Sequence, residues 1–209
     1  MQEVADVLRQ ERQALERLLY RLSIARALLT SREAQFLGWS AQEVERARQA
    51  VREVDLLRAA NVQLLGVRGP NRQAPTLRQL ASLAGDPWAG ILRDHHDALT
   101  GLVAEIEVVS HQAAELARRG IRRVADAQAA DDAATRHRHV PERERVSSPV
   151  EGAPASATPQ LSTWSPLSFE DDLSPDDADL TLLTTESAYQ DALTASAKLQ
   201  IPSLVAFLR

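Results

Sequence analysis

The chain has 209 residues, of which 44% are hydrophobic, 4% are aromatic and none is cysteine. Without cysteine there can be no disulfide framework, no thiol nucleophile and no cysteine-ligated zinc site. The sequence has no run of 18 apolar residues and no basic N-terminal segment leading into an apolar one. It therefore predicts a soluble, cytoplasmic protein with no membrane insertion.

Charge is distributed unevenly along the chain. Residues 1–150 hold 22 arginines and 20 acidic residues, whereas residues 151–209 hold two basic and nine acidic residues. The two parts therefore carry net charges of +2 and −7. Because no concentrated basic face with base-stacking aromatic residues is evident, nucleic-acid binding is not expected.

Heptad spacing predicts a first long helix over about residues 2–36. Its pattern is typical of a helix packed lengthwise against another. A second helix is predicted from Ala41 to Leu65, with Ser40 as its N-cap and Glu43 completing a capping box. The apolar residues of the first helix that recur every seven positions are Leu8, Leu15, Leu22, Leu29 and Phe36. Those of the second helix are Val44, Ala47, Val51, Val54, Leu57 and Leu64.

A third long helix has the most regular pattern. Apolar residues follow alternating steps of four and three from Trp88 to Gly120 and continue to Val124. Asp86 and Pro87 suit its N-cap and first helical position. Before it, residues 75–83 predict a short helix that starts with a proline and a threonine, and strand patterns are absent. The expected fold is all-α, an elongated antiparallel three-helix bundle of long heptad-patterned helices.

Composition divides the chain into three parts. Residues 1–136 form the predicted helical domain, and residues 137–175, with six prolines among small and acidic residues, predict a flexible linker. Residues 176–209 regain helical periodicity and predict an amphipathic C-terminal helix that Pro202 kinks or ends. The apolar residues of this tail are Leu180, Leu183, Tyr189, Leu193, Ala197, Ile201, Leu204, Phe207 and Leu208.

Catalysis has no support in the sequence. No phosphate-binding glycine loop, nucleophile elbow or His-Glu-x-x-His motif occurs. In the run 94–97, His95 is expected in the core register while Asp94, His96 and Asp97 point elsewhere, so the four cannot converge on one metal ion. The chain is therefore expected to be neither an enzyme nor a metal or cofactor binder.

The late part of the third helix is predicted to be an interaction surface. Its apolar stripe continues where the other two helices have ended, and an unpartnered stripe usually marks an interaction site. Arginines beside it can attract an acidic partner, or they can simply favour the helix C-terminus and solubility. The residues of this surface are Leu102, Ile106, Val109, Leu116 and Val124, with Arg118, Arg119, Arg122 and Arg123.

Four segments together resemble a known family. They are Leu8–Leu22 (LRQERQALERLLYRL), Arg52–Ala60 (REVDLLRAA), Pro75–Ala81 (PTLRQLA) and the helix start at Pro87-Trp88 with His95, Leu99, Glu105 and Ile106. In this order, over residues 1–125, they resemble the FlgN flagellar export chaperones of actinobacteria. The resemblance implies a cytoplasmic, non-enzymatic chaperone that holds the C-terminal helices of the hook-associated proteins FlgK and FlgL before type III export. It also implies contact with the export gate or ATPase complex, which is assigned to no residue here.

The tail carries a second resemblance. Residues 176–180 and 186–209, with the motifs Ala-Tyr-Gln-x-Ala-Leu and Pro-Ser-Leu-Val-x-Phe-Leu-Arg, are similar to the C-terminal end of FlgL. This implies a client-like helix, and its apolar face is expected to dock in cis on residues 100–125. The tail can be a natural client mimic or a fused client. The alternative is a helical scaffold that oligomerises through the third-helix seam and the tail.

Overall fold

The computed structural model describes residues 1–67, 74–138, 175–197 and 202–209, and all regular structure in these ranges is helical. The all-α class is therefore confirmed for the described part of the chain. The predicted linker lies outside it, apart from the two ends that belong to helices. The helices are α1 (Gln2–Ser31), α2 (Leu37–Leu64), α3 (Leu77–Leu83), α4 (Trp88–Arg138), α5 (Pro175–Ala197) and α6 (Pro202–Leu208), with a 3-10 turn at Ala34–Phe36.

The four long helices pack in a ring, in which each helix contacts two of the others. α1 packs against α2 and α4, and α5 packs against α4 and α2. The ion pairs Arg21–Glu43 (3.3 Å) and Glu11–Arg58 (3.0 Å) show that α1 and α2 run antiparallel. Each long helix thus buries its apolar residues against two others, as in a four-helix bundle.

The C-terminal helix occupies the fourth corner of this ring. Tyr189 lies at Gly120 and Leu208 lies at His96, so the C-terminal segment runs antiparallel to α4. The tail thus adds a fourth long helix to the three that were predicted, and α4 packs against α1 on one side and α5 on another.

The junction between α1 and α2 differs from the sequence prediction. α1 ends at Ser31, because Arg32 adopts a left-handed conformation (φ 63°) and the Glu33 amide bonds the Leu28 carbonyl at 3.1 Å. α2 then begins at Leu37, whose side chain is fully buried. Ser40 consequently lies buried inside the helix, so the predicted N-cap is wrong. Burial of Leu37 in the core outweighs the low helix propensity of Gly38, which follows it in the first turn.

Local capping fixes the short helix α3. The Thr76 hydroxyl accepts a hydrogen bond from the Gln79 amide (3.3 Å), and the Gln79 side chain accepts one from the Thr76 amide (3.0 Å). Thr76 is therefore the N-cap, and the helix begins at Leu77, directly after the proline and threonine that the sequence predicts at its start. α3 packs against α4 and α6.

α4 is the longest helix. It spans 51 residues, which corresponds to about 77 Å, and begins where the Trp88 amide bonds the Gly85 carbonyl at 2.9 Å. Most residues after Val124 are exposed, so the helix extends past the packed part of the bundle. None of the helices in the described ranges combines the length and apolar character needed to cross a bilayer.

Candidate helix-binding site

α5 lies along the groove between α2 and α4. α6 packs against α3 and α4 and contacts α2 through Asp55 and Arg58. α5 is described as far as Ala197, and α6 begins at Pro202, a residue type that suits the first turn of a helix. The four residues between them are outside the described ranges. Two contact regions hold the pair, one at Tyr189 and one around α6.

The first region is formed by Tyr189 on Gly120. The ring of Tyr189 is 7% exposed. A Cβ atom added at Gly120 would lie 2.7 Å from Tyr189 Cζ and closer still to Cδ1 and Cε1, which is shorter than real Cβ contacts. Glycine at this position therefore creates the space for the ring. The buried residues of the surrounding cluster are Leu29, Leu37, Ala113, Ala117, Val124, Tyr189 and Ala192.

The second region seats α6 in the main core. Leu204 is fully buried, and Phe207 and Leu208 are nearly so. They belong to the same apolar cluster as the interior leucines of α1, α3 and α4. The C-terminal residues thus form part of the main core together with the earlier helices.

Arg58 holds the aromatic ring of α6. Its Cζ lies 4.3 Å from the centroid of the Phe207 ring, within cation–π range. Its Nε donates a hydrogen bond to Glu11 Oε1 at 3.0 Å, and its Nη2 donates one to Asp55 Oδ1. Two carboxylates thus bind the edges of the guanidinium and leave its face for the ring. Asp55 Oδ2 also accepts a hydrogen bond from Ser203 Oγ at 2.5 Å.

Glu11 is the most deeply buried acid beside this ring. It is fully buried, and Oε2 has no hydrogen-bond partner among the described residues. Burial raises the pKa of Glu11 from 4.5 to about 7, although the charge of Arg58 and its hydrogen bond oppose that rise. The α6 region therefore contains a carboxyl group that changes its protonation close to neutral pH.

His96 contacts the end of α6. Its Nε2 lies 2.9 Å from the Leu208 carbonyl oxygen and 3.1 Å from Nε of Arg78, so it can donate to the first or accept from the second. Its Nδ1 lies 2.9 Å from Asp97 Oδ1. The last carbonyls of a helix lack intrahelical donors, and His96 can supply one for α6 in the tautomer that carries its proton on Nε2. The sequence prediction that His95 occupies the core register is wrong, because α3 and α6 cover the neighbouring position instead and leave His95 partly exposed.

The predicted interaction residues of α4 divide between the two apolar clusters. Ile106 and Val109 are buried in the main core, with Leu102 packed at its edge, and Val124 is buried beside Tyr189. Leu116 packs at the edge of the Tyr189 cluster. It also lines a groove between α1 and α4 with Arg26, Gln112 and Arg119.

The predicted arginines are exposed. The side chains of Arg118, Arg119, Arg122 and Arg123 all face solvent, and Arg118 donates to Glu115 one turn earlier. No ion pair joins these four arginines to the described side chains of α5. The run therefore contributes a solvated face in the described structure.

The predicted tail residues are mostly buried. Tyr189, Leu204, Phe207 and Leu208 are buried and Leu193 packs beside them, whereas Leu183 is exposed. The side chains of Leu180 and Ala197, and the whole of Ile201, are outside the described residues.

Sequence reasoning missed the polar part of the site. Arg58 and Val62 turn inward on α2, so Leu57 and Leu64, which the periodicity placed on its apolar face, are exposed. Glu11 and Arg58 are both buried, 47 positions apart and on different helices. A charged residue within each apolar stripe is the signal that could have found them.

In the described ranges, no group of three histidine, aspartate or glutamate side chains is placed to hold a metal ion. The search against protein-family models, the search of curated proteins and the search of solved structures each give no match for the chain. The functional interpretation therefore depends on the groove, its occupant and the sequence motifs.

Proposed function

We propose that this chain is a FlgN-type flagellar export chaperone that shelters the C-terminal amphipathic helices of the hook-associated proteins FlgK and FlgL. The observation that carries the proposal is the docking of its own FlgL-like tail, with α5 along the groove between α2 and α4 and α6 against α3 and α4. In this proposal, the tail occupies the site that a client helix would use, and it does so as a client mimic or a fused client.

The burial of two aromatic residues of the tail in the groove supports this. An amphipathic helix in an apolar groove is a common mode of peptide recognition, with anchors at helical spacing. Tyr189 and Phe207 are the large aromatic anchors here, and both are buried against groove residues. Aromatic residues in fully desolvated pockets supply most of the binding free energy in such contacts.

The covalent connection also has a functional consequence. A tethered occupant experiences an effective concentration on the order of millimolar, so a client in solution must compete with it. A chaperone with such a tail would take up its client only when the client binds better than the tail or when the tail is displaced. The tail would then keep the groove covered between clients.

The test compares the full chain with a released variant, Tyr189→Ala together with Phe207→Ala. These changes remove both anchors from the tail and leave every groove residue intact. Binding of labelled C-terminal helix fragments of FlgK and FlgL is measured by fluorescence anisotropy. We expect the released variant to bind them at least about tenfold more tightly than the unchanged chain.

Two controls make the result specific. Thr194→Ala changes an exposed residue of α5 and should leave binding as it is in the unchanged chain. A fragment of the same composition in scrambled order should bind neither form. If the fragments bind neither protein, or bind both equally, the proposal that the tail covers a client site is wrong.

A further inference from the structure

The site around α6 differs chemically from the remainder of the groove. At Tyr189 the tail meets an apolar cluster, whereas α6 meets the buried polar side chains of Arg58 on α2 and His96 on α4. Arg58 is in turn paired with the buried Glu11 of α1. Buried polar groups discriminate strongly between ligands, because a ligand that fails to pair them leaves them unsatisfied. This end of the groove therefore has the means to select a sequence.

Three polar residues contact three different chemical groups of α6. Asp55 accepts from the Ser203 hydroxyl, the Arg58 face covers the Phe207 ring, and His96 Nε2 lies at the Leu208 carbonyl. Ser203 and Phe207 are four residues apart, so they lie on the same face of a helix. Between them, Leu204 is fully buried in the core.

The guanidinium of Arg58 is held in position by groups outside α6. Glu11 and Asp55 hold its edges by hydrogen bonds from different helices, and Arg58 is only 4% exposed. Asp55 also binds the serine of α6, so one carboxylate links recognition of the hydroxyl to recognition of the ring.

We propose that Asp55, Arg58 and His96 form a specificity site that selects a C-terminal helical segment of the pattern Ser-Leu-x-x-Phe-Leu, in cis or on a partner protein. This inference rests on the proposed function, since it names the feature by which the groove chooses its helices. The phenylalanine carries the selection, because its ring contacts the buried guanidinium of Arg58. The serine adds one solvent-exposed hydrogen bond, and the two leucines supply apolar burial.

The test uses a synthetic peptide of residues 175–209 and the released variant of the full chain. Its dissociation constant is compared with those of two altered peptides, Phe207→Leu and Ser203→Ala. Phe207→Leu keeps an apolar side chain but removes the ring, and we expect it to weaken binding about 5- to 30-fold. The bond between Ser203 and Asp55 is exposed to solvent, so water can replace the serine hydroxyl and its loss should weaken binding only about two- to threefold. Thr194→Ala in the peptide is the control and should change nothing.

A substitution in the protein then shows whether Arg58 causes the weaker binding of the Phe207→Leu peptide. In a released variant that also carries Arg58→Met, the Phe207→Leu peptide should bind as well as the unchanged peptide, because the cation–π contact is absent for both. The comparison of peptides on the released variant needs no change in the site, so it decides the question even if Arg58→Met does not fold.

The outcomes separate this inference from the proposed function. Equal binding of the Phe and Leu peptides to the released variant overturns the specificity site and leaves client shelter intact. If neither FlgK or FlgL fragments nor the unchanged peptide binds, the proposed function itself is wrong. If the tail peptide binds selectively and the client fragments do not bind, the site is specific for this chain's own tail.

Discussion

Two glycines of α4 have opposite surroundings. A Cβ atom at Gly101 would meet nothing within 4 Å, whereas one at Gly120 would overlap the Tyr189 ring. Gly101→Ala should raise the free energy of unfolding by about 0.5–1 kcal/mol, because alanine is the better helix former. Gly120→Ala should lower it by about 1–3 kcal/mol through overpacking. Urea denaturation followed by circular dichroism measures both changes.

The Tyr189→Ala background is the control for this pair of variants. Once the ring is gone, Gly120→Ala should become stabilising like Gly101→Ala, since only helix propensity remains. Equal effects of the two glycine substitutions in the unchanged chain would contradict the Tyr189 contact.

Glu11 gives the site a dependence on pH. Burial raises its pKa to about 7 from 4.5, so between these values the folded chain holds a proton that the unfolded chain releases. The stabilisation is therefore fully present below about pH 4.5 and is lost as pH rises through about 7, with a total on the order of 3 kcal/mol. Glu11→Gln should flatten this part of the stability profile, measured by denaturation at several pH values.

Exposed acids of the same helix provide the comparison. Glu16→Gln removes a carboxylate that is paired with Arg12 at the surface and should leave the slope unchanged. Burial and the nearby Arg9 and Arg12 lower the pKa of His95, an effect of opposite sign that every variant shares. Parallel profiles for Glu11→Gln and the unchanged chain would show that folding leaves the pKa of Glu11 unchanged, which contradicts this prediction.

At the scale of helices, periodicity predicted where most helices lie but not which neighbour each face meets. The apolar steps of α4 fit His95 and His96 equally well as core positions, and only the packing of α3 and α6 decides for His96. The start of α2 was missed for a similar reason, because tertiary burial of Leu37 overrides a local capping signal. Local rules succeeded at α3, where Thr76 and Gln79 suffice.

The recognition site was less predictable than the helices. The burial of Tyr189, Phe207 and Leu208 follows from their hydrophobicity and helical spacing, which the sequence displays directly. Arg58, which contacts Phe207, and Glu11, which pairs with Arg58, are buried charged residues on other helices, and such residues are usually exposed. Each of them lies within the apolar stripe of its own helix, which could indicate its burial, but the pairing of Glu11 with Arg58 depends on the packing of α1 against α2.

At the scale of the whole molecule, the geometry favours docking of the tail within its own chain. Tyr189 lies at Gly120 and the helices are antiparallel, so Pro175 and Arg138 both lie beyond this contact, about 21 Å and 27 Å along their helices. The 36 residues between them can span far more than such a distance, up to about 120 Å. A long connection imposes no strain that would drive exchange of tails between chains.

This predicts a monomer whose tail is protected at every concentration. Light scattering should give the mass of one chain, and hydrogen exchange of the amides of α5 and α6 should keep the same rate over about a hundredfold range of concentration. The alternative of a scaffold that oligomerises through the α4 seam and the tail predicts a dimer whose tail amides become protected only as concentration rises. Such a result would assign the fourth corner of the bundle to a second chain, because α5 would then complete the groove of its neighbour.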